Sequence, residues 1–132
     1  MKIIKDGLLT VFILLFLVCL CLSEDGPLSG GPCEYKKYRG RCEIISIDKK
    51  GLDSYEVKFI FHTDEEIKEA YGKVEGRQFL LLLKNSSYPK REFLKKYSIE
   101  VGRSFDCYMS VITKGACTPI IFEFPTIDLG DY

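Results

Sequence analysis

A hydrolase or transferase needs a nucleophile, a base that activates it and a third group that orients the base. This chain of 132 residues offers one histidine, His62, as its only imidazole. Ser54, Ser104 and Ser110 lie in strand-like segments with no flanking nucleophile-elbow glycines. The neighbouring carboxylates Asp64, Glu65 and Glu66 lack the oxygen-ligand spacing of a calcium loop and read instead as the acidic first turn of a helix. Sulfur offers no better set. Cys33, Cys42, Cys107 and Cys117 are separated by nine, 65 and ten residues, without the paired Cys-x-x-Cys spacing of a zinc site. The residues therefore point away from an enzyme and imply no catalytic set, no cofactor and no metal; the four cysteines read as two disulfides.

That reading requires an oxidising compartment, and the N-terminus supplies an address. Lys2 and Lys5 precede the apolar run Leu8 to Leu22, LLTVFILLFLVCLCL, which Ser23, Glu24 and Asp25 end abruptly. Charged, apolar, then polar is the order of an export signal. The run falls short of the roughly 20 residues of a membrane-spanning helix, so residues 1–23 read as a signal cleaved near Cys21-Leu22-Ser23. An uncleaved anchor, or lipidation at Cys19 or Cys21, are the alternatives, and each places the domain outside the cytoplasm, secreted or at the cell surface. Removing Lys2, Lys5 and Asp6 from 19 basic and 19 acidic residues leaves 17 and 18, a net charge of −1. No global field draws such a domain to nucleic acid.

Residues 24–32, EDGPLSGGP, form a Gly/Pro spacer. Residues 33–125 are then the single disulfide-bonded domain, and 126–132 its tail. Tyr38 to Asp48 reads as a strand whose phase slips at Ile44-Ile45, the mark of a bulge. Ser54 to His62 alternates, with Tyr55, Val57, Phe59 and Phe61 on one side and Glu56, Lys58, Ile60 and His62 on the other. Thr63 and Glu66 form a capping-box pattern that predicts a short helix over Asp64 to Tyr71. Gln78 to Lys84, QFLLLLK, is an apolar run that predicts a central strand covered on both sides. Pro89 to about Tyr97 predicts a brief amphipathic helix, with Phe93, Leu94 and Tyr97 on its apolar face. Ser104 to Thr113 and Thr118 to Phe124 complete the set as a hairpin through Lys114-Gly115.

The string β-β-β-α-β-β predicts a mainly β domain with short helices, a five-stranded OB-type barrel. In such a barrel the first strand runs antiparallel to the fourth, and facing residues have position numbers of nearly constant sum. Cys42 with Cys107 and Cys33 with Cys117 give sums within one of each other, which favours two nested bridges. Local pairing, Cys33 to Cys42 and Cys107 to Cys117, stays open as the alternative. With these cysteines and the segment GRQFLLLLKNSSYP, the chain from Cys33 to Pro125 resembles, in outline, the netrin-like or tissue-inhibitor-of-metalloproteinase superfold. That resemblance implies a secreted OB barrel and, as an alternative function, protease inhibition. Inhibitors of that family begin their mature chain at a cysteine, whereas Cys33 follows the spacer, so no functional residue carries over.

The function expected from the residues is a binding or interaction module. Its face is Lys58, Ile60 and His62 on the outward side of the second strand, with Ile60 expected to be exposed. Basic residues cluster at Lys36, Lys37, Arg39 and Arg41 and again at Lys90, Arg91, Lys95 and Lys96. An extracellular protein or an anionic polymer is the expected partner, and a membrane is met only through residues 1–23. Asn85-Ser86-Ser87 fits the N-glycosylation pattern. The tail TIDLGDY reads as a frayed terminus, with docking as the alternative.

Overall fold

A computed structural model describes residues 32–132; the expected export signal, with Cys19 and Cys21, and nearly all of the expected spacer lie outside the described residues. Five antiparallel strands form one curled sheet: β1 (Glu34–Lys49), β2 (Tyr55–His62), β3 (Gln78–Leu80), β4 (Ser104–Lys114) and β5 (Ile120–Glu123). Their order across the sheet is β3-β2-β1-β4-β5. Among the described residues one helix, α1 (Arg91–Lys96), lies between β3 and β4, and one 3-10 turn, Ala70–Gly72, lies between β2 and β3.

Alternation builds the core. Val57, Phe59 and Phe61 of β2, Phe105, Cys107, Met109 and Val111 of β4, and Tyr38, Cys42 and Ile44 of β1 are all buried. Period-2 strands turn these residues to one face, and the curl of the sheet wraps that face around itself. Phe59 sits at the centre, with the rings of Phe79, Phe122 and Phe124 at 5.8, 5.0 and 5.4 Å. The expected phase slip is a bulge: the β1–β2 register shifts between Ile44 and Ser46. It lets β1 bend far enough to hold β2 at one end and β4 along most of its length.

Both bridges are long-range, Cys33–Cys117 and Cys42–Cys107. The inner bridge departs from strict opposition across the strands. In the β1–β4 ladder Cys42 faces Phe105 and Cys107 faces Gly40, so the inner bridge spans a diagonal pair rather than a directly opposed one. A diagonal still serves, because Cys42 and Cys107 point to the same face with Cα atoms 6.0 Å apart.

Three other expectations fail for physical reasons. Asp64 to Tyr71 is not helical beyond its last turn. Its apolar face is too thin to pack, and its polar side chains bond instead to β1. Gln78 to Lys84 is not a central strand: only Gln78–Leu80 is strand, it forms the end of the sheet, and the run alternates, with Leu81 and Leu83 buried and Leu80 and Leu82 exposed. The tail is not frayed. Ile127 is buried, Leu129 accepts the Lys84 N–H at 2.9 Å, and the Asp131 carboxylate accepts from the Tyr97 hydroxyl at 2.9 Å and from Lys96. Those two partners, Lys96 first, hold the Asp131 carboxyl below its ordinary range.

α1 begins later than its sequence implies. Pro89 is buried ahead of it, and its carbonyl accepts the Tyr55 N–H at 3.0 Å. The Arg91 N–H at the helix start is taken at 3.0 Å by Asp53, a residue of the β1–β2 turn. A remote carboxylate thus does the work of an N-cap.

Candidate functional site

β2 ends at His62, opposite Arg41, while β1 continues back to Glu34. Beyond that point the backbone groups of β1 that face β2 have no strand to bond, and buried or not they must find partners. Side chains of the following connection supply them. The Thr63 hydroxyl donates to the Arg39 carbonyl at 2.7 Å, and the Glu65 carboxylate accepts the Arg39 N–H at 2.8 Å. Thr63 also accepts the Glu65 N–H at 3.1 Å, which closes a tight local turn. Further along, the hydroxyl of buried Tyr38 donates to Glu69. That bond lowers the Glu69 pKa and raises the Tyr38 pKa, the latter with help from burial.

The connection stands away from the sheet end and leaves a groove of about 1050 Å³. Arg39, Arg41 and Lys73 give it positive charge, and Asp64, Glu65, Glu75 and Asp106 negative charge. Gly40 sits on its floor for a steric reason. A Cβ there would lie 2.3 Å from the His62 carbonyl oxygen and 2.6 Å from the Phe61 ring. Gly72, on the far wall, is equally confined, since a Cβ would lie 2.4 Å from Ile67 and 3.0 Å from Val111.

Of the three residues expected to form a binding face, only His62 lines this groove. Its Nε2 lies 3.1 Å from Glu43 Oε1 on β1, and its side chain is 57% exposed. Lys58 and Ile60 stay on the outer face of the sheet, Lys58 facing Leu80 across the β2–β3 ladder and bonded to Glu56 at 3.4 Å. Ile60 is half-buried rather than exposed, because Glu43 and Gln78 flank it on the two neighbouring strands. Leu80 of β3 and Ile121 of β5 are exposed apolar residues on that face.

Ser104 faces Glu43 from the other side of β1. His62 faces Arg41, so it stands two strand spacings across and two residues along from Ser104, roughly 12 Å away, with Glu43 between them. Such an order puts the acid, not the histidine, beside the hydroxyl. Among the described residues no group of three or more His, Cys, Asp or Glu side chains is placed to hold a metal ion.

A shallower hollow of about 460 Å³ lies beside α1 at the Tyr55 end of β2. The basic cluster of the helix is partly committed: Arg91, which lines the hollow, to the Tyr55 hydroxyl at 3.4 Å, and Lys96, outside it, to Asp131. The groove leaves little trace in the sequence because its walls come from four separated stretches. The one local trace is Arg39-Gly40-Arg41, a glycine inside a strand, which marks a close backbone approach. No family model, no curated protein and no solved structure matches the chain.

Proposed function

We propose that the chain is an exported, disulfide-stapled domain of OB type that acts as a non-catalytic binding module, taking a polypeptide partner in the groove at the His62 end of β2. The observation that carries this reading is the pinned connection. Thr63, Glu65 and Glu69 tie it to Arg39 and Tyr38, so the groove exists before any partner arrives. A preformed rim loses little conformational entropy on binding.

Charge selects the partner class. Three cations face four carboxylates in one groove, a mixture that complements the mixed charge of a polypeptide and repels a polyanion at Asp64, Glu65, Glu75 and Asp106. Export is supported by the order of residues 1–25 and by two disulfides, which persist in oxidising compartments. The OB type is supported by the neighbour order of the strands and by the approach of the first and last strands of the sheet at Phe79 and Phe122. OB barrels are commonly left partly open at such a seam.

The test is photo-crosslinking from single positions of the oxidised protein on living cells. A photoreactive residue at Arg41 or Lys73 should give a discrete protein adduct that unlabelled protein competes away, and the same residue at Lys95 should give none. Adducts only from Lys95, or retention on heparin at low salt without any adduct, would overturn the groove reading. Inhibition of a metalloprotease by the purified protein would replace it with the inhibitor reading.

A further inference from the structure

The turn after β3 carries chemistry that the groove does not use. Asn85, Ser86 and Ser87 are all exposed and match Asn-x-Ser with x not proline, and Asn85 is the sole asparagine of the 132 residues. Here the chain folds back on itself. The Leu83 N–H donates to the Ser87 carbonyl at 3.0 Å, the Ser86 N–H donates to the Leu83 carbonyl at 2.8 Å, and Ser86 adopts φ 65°. Within the turn, Asn85 Oδ1 accepts the Ser87 N–H at 3.1 Å and also the Ser87 hydroxyl. A backbone N–H only donates, so it fixes the oxygen side of the Asn85 amide toward Ser87 and turns Nδ2 away. The nucleophilic nitrogen is thus presented on the outside of a hydrogen-bonded turn, with the hydroxyl of the acceptor pattern against its amide.

We propose that Asn85 is an N-glycosylation site of the exported chain, an inference that rests on the export reading above. The donor is an oligosaccharide carried on a polyprenyl diphosphate. Asn85 Nδ2 bonds to the anomeric carbon, the anomeric carbon–oxygen bond to the diphosphate breaks, and polyprenyl diphosphate leaves with that electron pair. One amide proton passes to a base of the membrane transferase.

Position lets the fold accept the sugar. Gln78 faces Ile60, Leu80 faces Lys58, and the Leu81 N–H donates to Val57 at 2.9 Å, so the chain leaves β3 toward the Tyr55 end of β2. His62 and the groove lie at the other end, roughly 25 Å away along eight strand residues. None of the groove's lining residues belongs to the turn. A glycan there leaves the groove open.

The experiment is synthesis of the full chain with transferase-containing microsomes, read by protease protection and by electrophoretic shift. Three variants accompany it. Asn85→Asp keeps the acceptor oxygen of the turn while removing the nitrogen, Ser87→Ala removes the hydroxyl, and Ser87→Thr keeps it. The wild type and Ser87→Thr should be protected and shifted by one glycan that an endoglycosidase removes; Asn85→Asp and Ser87→Ala should be protected and unshifted. A protected, unshifted wild type overturns the site and leaves export standing. An unprotected, unshifted chain overturns both, and a shift that survives in Asn85→Asp overturns the assignment to Asn85.

Discussion

Phe79 on β3 and Phe122 on β5, from opposite ends of the sheet order, meet with ring centroids 4.7 Å apart. No ladder joins β3 to β5 among the described residues. The curl of the sheet is therefore closed by side chains, and the tail adds one backbone bond between Lys84 and Leu129. Phe122 also touches Phe59 and Phe61. Replacing Phe122 by Ala should cost about 3 kcal/mol, the lower end for a phenylalanine because Phe122 is half-buried. Denaturant unfolding measures this, and a loss below about 1 kcal/mol would show that the seam holds without its aromatics.

The two disulfides differ in access. Cys42 and Cys107 are fully buried, whereas Cys117 is exposed and Cys33 partly so. Under native conditions a mild thiol reductant should open Cys33–Cys117 first and leave Cys42–Cys107 intact, as mapped by differential alkylation and peptide mass spectrometry. Equal rates would contradict the packing around the inner bridge. With sequence separations of 84 and 65, loss of either bridge should lower stability by about 4 to 5 kcal/mol in the loop-entropy picture.

Gly40→Ala places a methyl group against the His62 carbonyl and the Phe61 ring, both part of the β2 backbone or core and neither free to swing away. The expected destabilisation is about 1 to 3 kcal/mol, with the groove floor disturbed as well. Gly51→Ala is the matched control: its nearest neighbour would be Ser54 Cβ at an ordinary 3.8 Å. Thermal unfolding should separate the two. Equal melting temperatures would mean that β1 shifts to make room.

Acid should loosen the connection and the tail. Glu69 and Asp131 both have pKa values lowered in the folded state, Glu69 mainly by the Tyr38 hydroxyl and Asp131 mainly by Lys96 and Tyr97. The unfolded chain then takes up protons first as pH falls. The stability from these contacts is complete above the ordinary carboxylate value of about 4 and is lost as pH falls through the lower folded values. Melting temperature should drop across that window, and Glu69→Gln combined with Asp131→Asn should flatten the drop. An unchanged slope in the double variant would assign the acid response to other carboxylates.

Much of the architecture follows from residue order alone. Tyr55 to Phe61 and Phe105 to Val111 alternate so strictly that one buried face is dictated wherever they pair, and the side-by-side Ile44-Ile45 forces a bulge. The nested pairing of the cysteines was also within reach, since antiparallel neighbours tie distant positions to one another. Only the folded chain decided the rest, because it depends on which long-range partner wins. The polar run Thr63 to Glu69 has helix-start chemistry, yet the unpaired backbone of Arg39 and the hydroxyl of Tyr38 claim its side chains. Leu80 to Leu83 looks uniformly buried until its place at the sheet's end exposes alternate residues. The tail carries too few apolar residues to announce itself, and it docks because the seam beside Lys84 and α1 needs a cover. Local pattern sets what each segment can form; competition for unsatisfied backbone and uncovered apolar surface sets what it does form.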